Sequence, residues 1–454
     1  MTDNSAMHDS NFRQDEVTEL FNLIRAGESV SIIGMSGTGK SNLFNHICRL
    51  ETQKKYISDI AERPIILRVN FHYAPDFTDR SLYSLIMEQL EDLAGESAEQ
   101  LGIRPEVIEQ IAGDHDALID AGDDLLRVQR HFKRAIRRLM VGAKRKIVFL
   151  FDQFDEVYQD AEPRFFANLR GLREAYKYRI SFLTFTRDIL PNLTPSDPAR
   201  EEFYELPAPN VMALRPYNER DARQLLRRIG GRNQLLFNED DEAQFIQWTG
   251  GHAGLLRAVL LAVGRYEVML VEEAEEAVAQ LAALSSVRLE CEKIWRSLSV
   301  REQKVLHRAL QQVELEPAEQ PIVQTLQLKG VFLPTVPLRV FAPIFAAYAR
   351  EMDPLWERPL FFDAQSRQVL VFGEAIPTLT KLEYRLFSLL YERENEVVAK
   401  DELIEAGWPR AQGGVSDEAL TAAMARLRRK IEPDVKNPRF FENVRNQGYI
   451  LRTE

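Results

Sequence analysis

The fold is decided by Gly34-Met35-Ser36-Gly37-Thr38-Gly39-Lys40-Ser41, which matches the pattern GxxxxGK[ST] without exception. Glycines let backbone N–H groups converge on phosphate oxygens, and a helix that begins near Lys40 directs its positive end at the same anion. Lys40 supplies a mobile positive charge, and Ser41 supplies a hydroxyl ligand for Mg²⁺. The stretch therefore predicts a phosphate-binding loop, and a chance Gly-rich turn is the alternative. The predicted nucleotide ligands in it are Gly34, Ser36, Gly37, Thr38, Gly39, Lys40 and Ser41.

The residues on either side supply the context that this loop needs. An apolar strand, Val30–Ile33, enters the loop, and a helix, Ser41–Arg49, leaves it. Further strands that alternate with helical segments are predicted at Ile65–Phe71, Ile147–Phe151 and Ile180–Phe185. This alternation predicts an α/β fold with a doubly wound parallel sheet. Helical patterning from Glu219 to about Leu284 then predicts a lid.

Candidate catalytic residues follow the strands of this sheet. Asp152 ends a buried strand, where ligands bind in open α/β sheets, so it is the expected Mg²⁺ ligand besides Ser41; a cap at the strand end is the alternative. Asp155 and Glu156 are candidate bases acting through a water, with a weak preference for Glu156, or else a solvated helix start. Arg187 is either a γ-phosphate sensor or part of a surface ion pair.

Two further features of the sequence concern the rate of ATP hydrolysis and a turn in the lid. Gln153 follows Asp152 where many similar P-loop ATPases of the AAA+ type have the glutamate that polarises water, and its amide cannot accept a proton, so this likeness implies a slow ATPase that acts as a switch. Gly250-Gly251 precedes His252 between helices, which predicts a tight lid turn near the nucleotide. His252 is either a nucleotide contact or a capping or core histidine.

Residues 12–284 resemble the STAND branch of the AAA+ P-loop ATPases. The motifs that carry the resemblance are GMSGTGKS, FLFDQFDEVY, TFTRD, LRPYNERDARQLL and GGHAGLLRAVL. The resemblance implies bound ATP with Mg²⁺ and a nucleotide-driven switch, often with homo-oligomerisation. Ala253 stands where the family often has Pro, which puts a nucleotide-sensing role of His252 in doubt. Residues Trp295–Ala349, with LSVREQKVLHRAL and FAPIFAAY, are similar to the winged-helix domain that follows such modules, and a generic helical adaptor is the alternative.

Charge and composition limit where nucleic acid can bind. The 454 residues carry a net charge of −11, which excludes a basic field over the whole protein. Cys48 and Cys291 have no metal-site spacing, which favours two reduced buried thiols. The polar N-terminus shows no secretory signal, and no apolar run reaches membrane-spanning length. We therefore expect a cytoplasmic protein with no membrane contact.

The charge reverses sign near the C-terminus. Between Thr421 and Glu454 there are eight basic and four acidic residues, a local net charge of +4. The predicted helix Ser416–Ile431 has an apolar stripe, which leaves Arg426, Arg429 and Lys430 on its other faces. Such a face can contact phosphates and base edges in a major groove, although a solvated charged helix fits the charge as well. Phe440–Val444 and Tyr449–Leu451 are predicted to form a hairpin with a basic tip.

Residues from about Pro359 to Arg452 resemble the OmpR/PhoB-type winged helix of response regulators. The resemblance rests on LT and E at 379–383, VSD at 415–417, RLRRKIE at 426–432 and VRNQGY at 444–449. It implies that Ser416–Ile431 is a recognition helix and that residues 445–449 form the wing, with 408–414 able to touch polymerase or another partner. The implied contacts to double-stranded DNA are Thr421, Arg426, Arg429, Lys430, Arg445, Asn446, Gln447 and Tyr449. Asn446 replaces the usual Gly, and an ATPase stands in place of a receiver domain.

Both sets of motifs on one chain predict an ATP-regulated transcription regulator. One alternative is an AAA+ DNA-transaction ATPase, such as a replication initiator or a transposition regulator. The other is a STAND signalling or defence adaptor whose winged helices bind protein. The predicted domains are residues 12–284, 285–352 and 358–454, that is, an ATPase followed by two winged-helix domains.

Overall fold

The structure is a computed structural model that describes residues 10–93, 102–143, 145–194, 197–266, 274–363, 367–377, 379–409, 414–445 and 447–453. The chain forms two compact units. Unit 1 comprises the residues up to 298 together with 309–350, and unit 2 comprises 299–308 together with 351–454.

Unit 1 is built on a five-stranded parallel sheet. Its strands are β1 Val30–Ile33, β2 Ile65–Asn70, β3 Ile147–Asp152, β4 Ile180–Thr186 and β5 Val211–Ala213. They lie in the order β2-β3-β4-β1-β5, and the register places Asn70 beside Asp152 and Ile33 beside Thr186. The carboxyl ends therefore meet at one edge of the sheet. The first four strands confirm the prediction, whereas β5 was not predicted because three residues give too short an apolar pattern.

Helices cover both faces of this sheet. They are α1 Gln14–Ala26, α2 Lys40–Ile47, α3 Leu50–Tyr56, α4 Asp79–Glu91, α5 Pro105–Ile119, α6 Leu125–Ala143, α7 Phe154–Asp160, α8 Pro163–Tyr176, α9 Leu190–Leu193 and α10 Pro198–Tyr204. Alternate residues of a strand point to opposite faces, so Phe149 and Phe151 join one core while Val148 and Leu150 join another. The first core includes buried residues of α4, α5, α6 and α8, and the second includes those of α1 and α2.

Helices also dominate the chain after β5. They are α11 Glu219–Asn233, α12 Glu239–Thr249, α13 Ala253–Tyr266, α14 Ala274–Ala283, α15 Ser285–Arg296, α16 Val300–Leu310, α17 Gln320–Leu328 and α18 Pro343–Arg350. A hairpin of β6 Phe332–Leu333 and β7 Arg339–Val340 lies between α17 and α18. The predicted lid turn is present, because Gly250 and Gly251 adopt φ of 58° and 76°. A Cβ at Gly251 would lie 2.3 Å from the Tyr217 carbonyl oxygen, so only glycine fits there.

Unit 2 contains two small antiparallel sheets and a group of helices. Its elements are β8 Leu360–Asp363, β9 Gln368–Val371, β10 Glu374–Ala375, α19 Lys381–Glu392, β11 Val398–Ala399, α20 Lys400–Gly407, α21 Asp417–Ile431, β12 Phe441–Val444 and β13 Gly448–Leu451. The sheets have the orders β10-β9-β8 and β11-β13-β12. A capping box of Thr380 and Glu383 opens α19. Three helices followed by a hairpin are the elements of a winged helix.

These observations confirm the predicted fold class. The boundaries 12–284, 285–352 and 358–454 stay predictions, and residues 299–308 group with unit 2. Asn446 and residues 410–413 of the predicted partner-contacting loop lie outside the described residues.

Candidate functional sites

The phosphate-binding loop runs from the end of β1 to the first residue of α2. Gly37 and Gly39 adopt φ of 78° and 95°, which other residues rarely adopt. A Cβ at Gly39 would also lie 2.4 Å from the Tyr217 hydroxyl oxygen. Lys40 Nζ donates to the Gly34 carbonyl and, at 3.0 Å, to the Met35 carbonyl. The loop is thus formed as predicted, and its lysine is held inside it.

A cavity of about 920 Å³ opens at this loop. Five cations line it, whereas its only acids among the described residues are Asp152 and Asp155. The cations are Lys40 and Arg187 from the sheet edge and Arg228, Arg232 and Arg257 from α11 and α13. The size is in the range of ligand pockets, and the excess of positive charge suits a polyanion such as a nucleotide.

Burial shifts the pKa of Lys40, at the start of α2, and the pKa of Asp152, at the end of β3, in opposite directions. Burial lowers the pKa of Lys40 to about 8, and the nearby Asp155 carboxylate partly counters the shift. Burial raises the pKa of Asp152, although the Gln153 N–H donates to Asp152 Oδ1 at 3.0 Å and opposes that rise. Both groups are therefore desolvated, which strengthens their attraction for an opposite charge in the cavity.

Asp155 and Arg187 form an ion pair beside Asp152. The Arg187 backbone N–H and Nε–H donate to Asp155 Oδ1 at 2.9 and 3.2 Å. Asp155 is buried and lines the cavity, whereas Glu156 is exposed on α7 and is not among the lining residues. Of the two candidate bases, Asp155 is therefore better placed than Glu156, which the sequence weakly favoured.

Ser41 and Asp152 line the same cavity as Lys40. A hydroxyl and a carboxylate are oxygen donors of the kind that Mg²⁺ prefers, so this pair fits the predicted ion. Gln153 also lines the cavity, in the left-handed region at φ 56°, and its amide cannot take a proton.

His252 supports the loop from beneath. Its ring is fully buried, its Nε2–H donates to the Ser36 carbonyl at 2.8 Å, and its Nδ1 accepts from the Leu255 N–H at 3.2 Å. Burial lowers the pKa of His252 to about 4. A Cβ on Gly37 would meet the ring at 2.6 Å, and the histidine is not among the residues that line the cavity. Of the two predicted roles, this geometry favours the core and capping histidine.

Arg13 belongs to the site although the sequence analysis did not single it out. Its side chain is 1% exposed, and one guanidinium nitrogen donates to the carbonyls of Thr38 and Arg215 at 2.8 Å each. The guanidinium also lies 4.7 Å from the centre of the Tyr217 ring. Arg13 thus ties the phosphate-binding loop to the chain that enters α11. A lone arginine before a helix gives no local signal of such a role.

Two contacts join the loop and the sheet edge to later parts of unit 1. The Ser36 N–H donates to Ser297 Oγ at 3.2 Å, just after α15. Lys329, which is fully buried and follows α17, pairs with Asp188 Oδ2 at 2.7 Å, next to Arg187. A rearrangement of the loop would therefore disturb the hydrogen bond to Ser297, and a rearrangement of the end of β4 would disturb the ion pair with Lys329.

The predicted recognition helix in unit 2 presents two arginines to solvent. The buried side of α21 consists of Leu420, Ala423, Met424, Leu427 and Ile431. Arg426, Arg429 and Thr421 are exposed, and Thr421 Oγ1 donates to the Asp417 carbonyl at 2.8 Å.

Lys430 and Tyr449 stand apart from this exposed set. Lys430 pairs with the buried Glu383 at 2.7 Å, so a carboxylate already compensates its charge. Tyr449 is 3% exposed and packs in the core of unit 2, which corrects the prediction that it contacts DNA. Its position opposite Val398 in the β11–β13 ladder explains the burial.

The predicted wing is the turn between β12 and β13. Val444 pairs with Gly448 across the hairpin, and Arg445 and Gln447 are exposed at its tip. A Cβ at Gly448 would lie 1.9 Å from the Val398 carbonyl oxygen, so glycine is required there. The hairpin confirms the predicted pair of strands and presents one cation at its tip.

Two family comparisons agree with these geometries. Residues 12–183 match the family described as AAA ATPase domain, and residues 373–451 match the family described as transcriptional regulatory protein, C terminal. The chain joins an AAA ATPase domain to an OmpR/PhoB-type winged-helix domain. Among the described residues, no helix has the length and apolar character that a membrane span needs.

Curated relatives match about a fifth of the chain. Protein PetR of Rhodobacter capsulatus is 38% identical over 97 residues, which are 20% of this chain and 40% of PetR. The DNA-binding dual master transcriptional regulator RpaA of Synechocystis is 29% identical over 106 residues, which are 23% of this chain and 42% of RpaA. The chain thus spans about two-fifths of the length of these relatives.

Solved structures also match the chain, at low TM-scores. The Klebsiella pneumoniae RstA DNA-binding domain, in complex with the RstA box, is 25% identical, with 21% of this chain and 92% of that chain covered at a TM-score of 0.19. A Walker-type ATPase of Pyrococcus abyssi is 12% identical, with 74% of this chain and 95% of that chain covered at a TM-score of 0.45.

Proposed function

We propose that this protein is a cytoplasmic, ATP-binding transcription regulator of the STAND type, in which the nucleotide state controls DNA binding. The observation that carries the proposal is the presence of two formed sites on one chain. The first is a positively charged cavity at a phosphate-binding loop. The second is a winged helix whose α21 exposes Arg426 and Arg429.

In the nucleotide site, the backbone of the loop and Lys40 would hold the phosphates, while Ser41 and Asp152 would hold Mg²⁺. The ion, when bound, neutralises phosphate charge. Arg187 is held by Asp155 and lines the cavity, so its remaining guanidinium N–H groups are candidates for contacts with the phosphates. The aliphatic side chains of Leu225, Ile229 and Leu261 supply an apolar wall that suits a nucleotide base.

Slow hydrolysis is the second part of the proposal. Gln153 occupies the position directly after the predicted metal ligand, and an amide cannot accept a proton from an attacking water. Asp155, the nearest alternative, already accepts two hydrogen bonds from Arg187. Both facts favour a bound state that persists long enough to act as a switch.

In the DNA site, α21 would enter the major groove and the wing would lie against the backbone. Arg426, Arg429 and Arg445 are the exposed cations of these elements that fit phosphate or base-edge contacts. RpaA, one of the two relatives above, is named a transcriptional regulator, and a further relative is named the cholera toxin transcriptional activator of Vibrio cholerae. RNA polymerase or a signalling protein is the partner that we expect beyond DNA.

The DNA site is tested by selecting bound duplexes with the purified chain and then measuring affinity across a salt series. Arg426→Gln/Arg429→Gln should weaken binding and lower the slope of log affinity against log salt by about 0.9 for each lost phosphate contact. Lys54→Gln/Lys55→Gln, which removes two charges from α3, should change neither. Undiminished binding by the α21 variant would refute this part of the proposal and favour a protein-binding adaptor.

A further inference from the structure

A second basic feature lies in unit 1, far in sequence from the winged helix. Residues 125–151 contain no aspartate or glutamate, in a chain whose net charge is −11. Nine lysines and arginines lie in this run: Arg127, Arg130, Lys133, Arg134, Arg137, Arg138, Lys144, Arg145 and Lys146. The helix α6, Leu125–Ala143, holds the first six of them.

The fold itself uses some of these cations. Arg134 and Arg138 pair with the buried Asp114 of α5, at 3.3 and 2.7 Å. The Arg145 guanidinium donates to the Ile60 carbonyl, and Lys146 Nζ donates to the Arg25 carbonyl. These contacts hold α6 and the start of β3 in place, which accounts for those four positions without any ligand.

Four cations of α6 are left over. Arg127, Arg130, Lys133 and Arg137 are exposed, and in the part of the chain that the structure describes their side chains make no hydrogen bond or ion pair. Their spacings of three and four residues place them along one face of the helix. The opposite face is locked into the core of unit 1 by Val128, Phe132, Ala135, Ile136 and Leu139. The basic face therefore cannot turn inward.

Such a face is unfavourable for the isolated protein. Arg130 and Lys133 are three residues apart, and Lys133 and Arg137 are four apart, so like charges repel at both spacings. Between Arg127 and Arg137 this face exposes no apolar side chain, and the exposed Leu126 and Val141 lie at its two ends, whereas protein interfaces place their aromatic anchors near the centre of the contact. A regular polyanion offers the countercharge without needing such anchors.

We propose that the face formed by Arg127, Arg130, Lys133 and Arg137 is a second DNA-binding surface, which contacts the phosphate backbone of duplex DNA without reading its sequence. The four residues span about 15 Å of helix axis, a length over which a duplex strand presents on the order of four phosphates. The proposal rests on the proposed function in one respect, that duplex DNA is the polyanion which the winged helix brings to this chain.

The test compares salt dependence in full-length variants that remove the same charge. Lys133→Gln/Arg137→Gln removes two cations from this face, and Lys54→Gln/Lys55→Gln removes two from α3, which belongs to the other face of the sheet. Each is titrated with a duplex that carries the selected site and with the same duplex extended by random flanking sequence. The α6 variant should lower the salt slope on the extended duplex by about 1.8, from about 0.9 for each phosphate contact, and weaken binding there at least tenfold. The α3 variant should match the unmodified chain.

The outcomes separate this proposal from the proposed function. An α6 variant with the slope and affinity of the α3 control would overturn the second surface, and an acidic protein partner would then be the occupant to seek. If Arg426→Gln/Arg429→Gln still weakens binding in that case, the proposed DNA-binding function survives. Equal losses in the α6 and α3 variants would also contradict the proposal, because they would report net charge rather than a surface. Thermal unfolding of each variant checks that the core packing of α6 is intact.

Discussion

Acidification should weaken unit 1 through His252. The ring accepts a hydrogen bond from the Leu255 N–H at Nδ1 and donates one to the Ser36 carbonyl from Nε2, at 3.2 and 2.8 Å. Only the neutral ring can do both, because a protonated Nδ1 would face the Leu255 N–H with a second donor. Burial accordingly lowers the pKa of His252 to about 4, from an ordinary value of 6.5.

The size of the effect follows from these two pKa values. Between pH 6.5 and pH 4 the unfolded chain binds more protons at this ring than the native chain does, so stability falls as the pH falls. The contribution of the neutral ring is fully present above pH 6.5 and is lost toward pH 4. Between pH 7.5 and pH 5.0 the loss amounts to about 2 kcal/mol of unfolding free energy.

The assay is a urea titration at each pH, with pulsed hydrogen exchange and mass spectrometry to follow peptides of unit 1 alone. His252→Gln is the matched variant, because its amide nitrogen can donate to the Ser36 carbonyl but does not titrate. The unmodified chain should lose about 2 kcal/mol more than the variant between pH 7.5 and pH 5.0. Equal losses in the two chains would refute the reasoning, since the imidazole would then not be the titrating group.

Three further changes have expected outcomes that single measurements can check. Gln153→Glu should raise the rate of phosphate release from ATP roughly tenfold or more, because it adds a proton acceptor to the cavity, and an unchanged rate would mean that another step limits turnover. Lys430→Ala removes the cation that pairs with the Glu383 carboxylate, so it should lower the unfolding free energy of unit 2 by about 1–2 kcal/mol in urea titrations. The same variant should leave the salt slope of DNA binding unchanged. Glu432→Gln should lower the same free energy by about 1–3 kcal/mol, because the carboxylate accepts the N–H groups of Phe440 and Phe441, and a stable variant would contradict that reading.

Local patterns carried the predictions that the structure confirms. The phosphate-binding loop and β3 each depend on residues close together in sequence. The loop needs glycine at Gly37 and Gly39 for its backbone conformation, and a buried parallel strand needs an unbroken apolar run such as Ile147–Phe151. The hairpin at the C-terminus was predictable for the same reason.

Contacts between distant segments were beyond local patterns. Arg13 reaches the loop across 25 residues of sequence and Arg215 across 202, and Lys329 reaches Asp188 across more than a hundred, so none of these contacts leaves a periodic signal. The burial of Tyr449 was missed because a strand of a wing can place an aromatic ring on either face of the sheet, and the sequence does not show that β13 also pairs with β11 opposite Val398. The sequence also could not decide between Asp155 and Glu156 as the candidate base, because they differ in that Asp155 is buried and lines the cavity whereas Glu156 is exposed.

The central claim, that nucleotide state controls DNA binding, is tested most directly by titrating the selected duplex with the purified chain in three states. The states are free of nucleotide, with Mg-ADP and with Mg-ATP, each repeated with Lys40→Ala. The account predicts that affinity or stoichiometry differs at least about tenfold between the ADP and ATP states, roughly 1.4 kcal/mol, and that Lys40→Ala abolishes the difference. Equal affinity and stoichiometry in all three states of the unmodified chain would contradict it.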